Sequence, residues 1–333
     1  LRSNSNGTSV PPPNPVGKNR NYFGNYDQII AAQKVGLSFE VELQSSGTAG
    51  IAPAYGPLLR ACGLAETVTA AAVTGSAQAG SVSTITLAAG ASAVTNLYVG
   101  LPVSITSGTG AGSSSTIVAY DGTTKIATVS PNFATSPAAA SAYSIGPGVA
   151  YRPISSAFES VTMYAQLQDS VQSSSPLHKI LGARGNVEFT VNAKSLPVAK
   201  FTMTGVYSAV VDSTNLSATY TGFRTPTAVN DGNTPSFSFF GLAAVMSEFS
   251  VNLNNEVVHR NLVNSESVIL TDRKAAGTTV FEAPTISTGT YAKDFFATAL
   301  GTTNGSMSLV HGAIHCSVMF LRRKHGICNQ TNG

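Results

Sequence analysis

Tryptophan is missing from this 333-residue chain, and charge is scarce, with only 11% of residues being Asp, Glu, Lys or Arg. An ordinary globular domain carries roughly 25%. A lone monomer normally covers itself with such residues, so much of this surface is expected to meet other subunits. Cysteine is equally sparse: Cys62, Cys316 and Cys328 make an odd count without a CxxC spacing. That pattern implies neither a disulfide framework nor a zinc site and fits a reducing compartment. No apolar run approaches the roughly 20 residues needed to cross a bilayer, and the Ser/Asn/Pro-rich start lacks the apolar centre of a signal peptide. No membrane partner and no Sec export are therefore expected. The 19 basic and 16 acidic residues leave a net charge of +3, gathered nowhere except at Arg322, Arg323 and Lys324. A protein that grips nucleic acid needs a basic stripe, because affinity scales with the phosphates it neutralises.

What is present is strand pattern. From Leu37 to Leu43 the chain alternates: Leu37, Phe39, Val41 and Leu43 take one phase, and Ser38, Glu40, Glu42 and Gln44 the other. A half-buried strand with two carboxylates on its wet face follows. Pro57 in the first turn and Gly63 just past the last predict a short helix over 57–62. Further strands are expected at 160–167, 186–193, 200–207, 248–253, 267–270, 278–281 and 308–321, with a second short helix at 291–300. Residues 1–20, with Pro11, Pro12, Pro13 and Pro15, read as an extended or disordered arm.

Between residues 75 and 146 the texture changes. Asp121 and Lys125 are the only charges there, and no His or Cys occurs. Strands are expected at 83–87, 99–106, 115–120, 125–129 and 142–145, and Asp121-Gly122 signals a hairpin. The organisation predicted is a core of residues 1–74 and 147–333, carrying a small inserted β-sandwich or barrel at 75–146. The class is mainly β, with one or two short helices.

Catalytic signatures are lacking. The chain has no G-x-S-x-G, no P-loop and no H-E-x-x-H. Gly108, Gly110 and Gly112 imitate a phosphate cradle, yet strands flank them and no helix N-terminus follows. His311 and His315 have metal-ligand spacing on a helix, but on the strand expected here they stand about 13 Å apart. Glu40 and Glu42, ~7 Å apart along a strand, have the separation of a glycosidase pair, but such a pair needs an aromatic-lined cleft. No enzyme activity, cofactor or metal is expected.

Three phrases carry a resemblance to a family: Phe39-Glu-Val-Glu-Leu43, Pro53-Ala-Tyr-Gly-Pro-Leu-Leu-Arg-Ala-Cys-Gly63 and Tyr151-Arg-Pro. Leu181-Gly-Ala-Arg-Gly-Asn-Val-Glu-Phe189, Phe201-Thr-Met-Thr-Gly205 and Val280-Phe-Glu-Ala-Pro284 extend it. Over roughly residues 20–66 and 148–322 the chain resembles the tail tube proteins of long-tailed bacteriophages. The insert, with Tyr120-Asp-Gly-Thr-Thr-Lys125, looks like a β-domain grafted into several virion proteins. Relatives begin with a segment ahead of the position of Leu1, and this chain does not start with Met, so inner contacts made by that segment are not carried over. The resemblance implies a tail-tube β-sandwich or barrel, six copies per ring, and stacked rings forming a conduit for DNA ejection. It implies a virion tail assembled in the bacterial cytoplasm. The partners implied are the chain itself, tape measure, tail tip and terminator proteins, and double-stranded DNA that passes without specific binding. Glu40, Glu42 and Glu188 are the lumen-facing candidates, because carboxylates repel phosphate. An ion pair of Glu188 with Arg184 or Lys200 is the plainer local reading. The N-terminal arm and the loop after Leu43 are candidates for ring-to-ring contact, and the insert is placed outside the tube. The reading from another class is a surface adhesin or carbohydrate-binding module, which would display aromatic side chains on the insert.

Overall fold

A computed structural model describes residues 2–10, 29–168, 171–239, 242–282, 305–312 and 314–320. The chain is mainly β, with twenty-three strands and one six-residue helix among the described residues. It begins with β1 (Arg2–Val10), β2 (Ile29–Glu42), α1 (Gly56–Ala61) and β3 (Leu64–Thr69). Seven strands of the insert's sheet follow, the first starting two residues ahead of the expected boundary: β4 (Val73–Ser76), β5 (Ala79–Gly80), β6 (Thr84–Thr86), β7 (Pro102–Ser107), β8 (Ser114–Asp121), β9 (Ile126–Ser130) and β10 (Ala142–Ile145). The chain returns through β11 (Gly148–Pro153), β12 (Val161–Gln166), β13 (Ser174–Asn192), β14 (Val198–Tyr207) and β15 (Val211–Thr214). It continues with β16 (Ser236–Phe239), β17 (Leu242–Ala243), β18 (Met246–Asn252), β19 (Asn255–Leu262), β20 (Ser265–Arg273) and β21 (Ala276–Phe281). The last pair is β22 (Gly305–His311) and β23 (Ile314–Phe320).

The largest sheet is antiparallel and runs β1-β2-β14-β13-β18-β21, with β12 and β15 added alongside β13. Alternation along its strands sends one phase inward. Leu37, Val187, Ala199, Phe201 and Met203 are buried together with Leu59, Ala61, Cys62 and Leu64. Towards the other end Val191, Phe249 and Val251 pack against Val229, Phe237, Met307 and Leu309, the last three residues belonging to the sheet β17-β16-β22-β23. Helix α1 is too short to persist alone; Leu59 and Ala61 are buried in the sheet's core and hold it there. Arg60 pairs with Glu159 at 3.2 Å, an exposed contact of little energetic weight.

The hairpin β19-β20 is fastened to this core by half-buried polar groups. Asn255 donates through Nδ2 to the carbonyls of Cys62 (2.7 Å) and Gly185 (3.0 Å). Arg273 donates to Asn255 Oδ1 (2.7 Å) and to the carbonyl of Gly63 (2.8 Å). The bond to Cys62 satisfies the C-cap carbonyl that α1 leaves unpaired.

The insert's strands form a sheet of their own, ordered β4-β10-β7-β8-β9-β6-β5. Its core is separate from the others and holds Ile85, Leu87, Val103, Ile105, Ile117, Tyr120, Tyr143 and Ile145. The ribbon β3-β11 lies between it and the rest, in register from Gly148↔Thr69 to Pro153↔Leu64.

Several local expectations change. The strand expected at 308–321 is a hairpin: β22 and β23 pair with Val310 opposite His315 and His311 opposite Ile314. Gly312, at φ +52, supplies the left-handed conformation that a tight hairpin needs. The β8-β9 hairpin does not use Asp121-Gly122 as a two-residue turn. Asp121 stays in β8 and accepts from the Thr123 amide at 2.7 Å, while Lys125 takes the positive φ. Glycine is required at 122 for space: a Cβ there would stand 2.1 Å from the Ala93 carbonyl oxygen. Of the arm, Arg2–Val10 is a strand paired to β2; residues 11–20 and the helix expected at 291–300 lie outside the described residues.

Candidate functional site

The wet face of the largest sheet gathers the polar phase of four adjacent strands. In β2 this phase is Lys34, Gly36, Ser38, Glu40 and Glu42; in β14 it is Lys200, Thr202 and Thr204. In β13 it is Asn186, Glu188, Thr190 and Asn192, and in β18 Glu248, Ser250 and Asn252. Glu40, Glu42, Lys200 and Glu248 are exposed, and Glu188 is half-buried. Register turns these side chains into rows across the sheet. One row reads Glu40, Lys200, Glu188, Asn252, each the direct cross-strand partner of the next. The neighbouring row reads Glu42, Val198, Thr190, Ser250. The three sequence candidates Glu40, Glu42 and Glu188 therefore share one face.

Glu188 is held by amides. Asn252 Nδ2 donates to Glu188 Oε2 at 3.4 Å, and Asn186 Nδ2 donates to Asn252 Oδ1 at 2.7 Å. The suggested partner Arg184 is engaged elsewhere, donating to the carbonyls of Glu159 (3.0 Å), Phe158 (2.8 Å) and Val268. Among the described residues, neither Arg184 nor Lys200 forms an ion pair with Glu188 within 4.0 Å. Lys200 was named from the sequence only as an ion-pair partner for Glu188, and Glu248 and Asn252 were not singled out, although their signal is there. Phe201/Met203 and Phe249/Val251 fix the apolar phase of their strands, which puts Lys200 and Glu248 on the Glu40 face.

The other residues weighed from the sequence lie outside this face. Gly108, Gly110 and Gly112 form the loop between β7 and β8, with no helix behind them. His311 is buried between two threonines: its Nδ1 meets Thr234 Oγ1 at 2.8 Å, and its Nε2 meets Thr227 Oγ1 and the Thr227 carbonyl, each at 3.1 Å. A carbonyl only accepts, so Nε2 carries a proton in its contact with Thr227. His311 thereby ties the long 215–235 connection to β22. Among the described residues, no three His, Cys, Asp or Glu side chains are grouped to hold a metal ion.

Cys62 is fully buried against Met203 Sδ at 3.9 Å, and burial pushes its thiol up to about 12 against the opposing Arg273 charge. A thiol so held is a core side chain rather than a nucleophile. The insert's four aromatic residues, Tyr98, Tyr120, Phe133 and Tyr143, are all buried, so they form no stacking platform at its surface. No helix among the described residues is long and apolar enough to cross a membrane.

No known protein family, no curated protein and no solved structure matches the chain.

Proposed function

We propose that this chain is a structural subunit of a bacteriophage tail tube, six copies closing each ring and the rings stacking into a conduit for DNA. The reading is carried by the largest sheet: one face builds the core, while the opposite face is mainly polar, interrupted by Val198, Val206 and Val280, and sets Glu40, Glu42, Glu188 and Glu248 against Lys34 and Lys200. A conduit wall must avoid holding DNA, because each phosphate neutralised releases counterions and tightens binding. A net negative charge from the four carboxylates, set among uncharged hydroxyl and amide side chains, meets that need.

One end of the sheet also supports it. The outer edge of β1 is unpaired among the described residues, and an open edge is a template for another strand. Joining edges between copies through a heterologous contact that closes produces a ring. In this reading the insert decorates the exterior, and no catalytic step or cofactor takes part. Tape measure, tail tip and terminator proteins are the tube's partners, and the product is a virion tail assembled in the host cytoplasm.

Negative-stain electron microscopy of the purified chain over a concentration series tests it. Hollow rings or tubes with a lumen wide enough for a DNA duplex are the expected result. Compact or fibrous assemblies without a lumen at every concentration overturn the reading.

A further inference from the structure

Lys200 stands between two carboxylates. Its direct cross-strand partners are Glu40 on β2 and Glu188 on β13, and directly opposed side chains have Cβ atoms about 4.5–5.5 Å apart. The ammonium therefore stays well within the ~10 Å screening length of 0.1 M salt from both carboxylates. Glu188 is fixed over the sheet by Asn252, itself held by Asn186. The other two carboxylates of the face are placed differently. Glu42 lies opposite Val198, and Glu248 opposite Asn192 and Val280.

We propose that Glu40 and Glu188 act as a local screen for Lys200, cancelling an exposed cation on a face that would otherwise hold the phosphates of double-stranded DNA. The inference rests on the reading of this face as a conduit wall, and goes beyond it by assigning a paired role to two of its four carboxylates. A lysine at this position gives each of the two glutamates an opposite charge as its direct neighbour, whereas like charges directly opposite one another on neighbouring strands destabilise the pairing. Its two flanking glutamates keep it from becoming a phosphate contact.

The test uses the full chain as isolated monomer, whose wet face is open, and a fluorescein-labelled 20-base-pair duplex read by anisotropy at 50–200 mM salt. Wild type is expected to leave the duplex free throughout. E40Q/E188Q is expected to bind at low salt, with at least a tenfold gain in affinity and a logarithmic salt slope near −1 for each phosphate engaged. Adding K200A to that variant is expected to abolish the gain. E42Q/E248Q removes the same charge yet leaves both direct partners of Lys200, and is expected to behave as wild type. Equal binding by both double variants, or binding by E40Q/E188Q that survives K200A, overturns the screen and leaves bulk charge as the cause. No gain in E40Q/E188Q, with circular dichroism unchanged, overturns it as well. Tube formation, scored separately by microscopy, reports on the conduit reading independently of either outcome.

Discussion

Phe201→Ala is expected to destabilise the part of the chain built on the largest sheet by about 3–5 kcal/mol and to leave the insert's unfolding in place. Phe201 is fully buried at the centre of β14 and stacks on Phe39 with ring centroids 5.5 Å apart and planes at 20°. Truncation removes the ring's burial and leaves a hole that Leu37, Val187 and Met203 cannot fill without moving backbone in three hydrogen-bonded strands. That cluster shares no buried side chain with the insert's, so the effect stays local, as it does for distant sites without common partners. Differential scanning calorimetry is the measurement. The host transition moves down and the insert transition stays; if both shift together, the two cores unfold as one.

Tyr120→Ala is the mirror experiment. Tyr120 is 1% exposed, meets Tyr98 edge-on at 4.8 Å and donates to the Ser92 carbonyl at 2.5 Å. Losing the ring costs about 3–5 kcal/mol by the same cavity argument, and the carbonyl is left without its donor. Here the insert's transition is expected to fall and the host's to persist.

The same residue sets an alkaline limit. Burial, reinforced by Tyr98, Tyr143 and Asp121, pushes the Tyr120 phenol from 10.0 up to about 12. A folded state that holds this proton more tightly is stabilised fully below pH 10, and loses that contribution as pH rises from 10 towards 12. Urea melts of the insert transition across pH 8–11.5 are expected to show this decline, and Tyr120→Phe to flatten it. An unchanged slope in the phenylalanine variant would assign the decline to other groups.

Legibility in the sequence tracked how strictly side chains alternate. Leu37–Leu43 was readable because one face is buried and the other wet, so period two is written into residue type. Pro57 and Gly63 marked α1 to within one residue. The phase of Glu188 and Glu248 was equally readable, but their convergence with Glu40 was not, because cross-strand register is decided by pairing and not by composition. The ribbon β3-β11 was missed for a related reason: Leu64–Thr69 is mostly half-exposed and shows no clean alternation. At 308–321 the apolar residues continue through a hairpin whose only punctuation is Gly312 and its neighbours, so a single long strand was the natural misreading. His311 lay beyond sequence reasoning altogether, since its partners Thr227 and Thr234 come from a connection without regular structure.

The ribbon also brings the two ends of the insert together. Thr69 and Gly148 are opposed residues of one antiparallel pair, which puts their Cα atoms about 5 Å apart. To the rest of the chain, everything between them is a hairpin loop, whatever its length. Stretching a flexible four-residue loop to that length raises its closure cost by only about 3 kcal/mol, and a folded cassette whose own ends meet avoids most of that. Excising such a cassette at this junction is expected to leave the strands of the largest sheet in place, which circular dichroism and thermal melts of the shortened chain would check. A short turn joining Thr69 to Gly148 is all the host requires in its place.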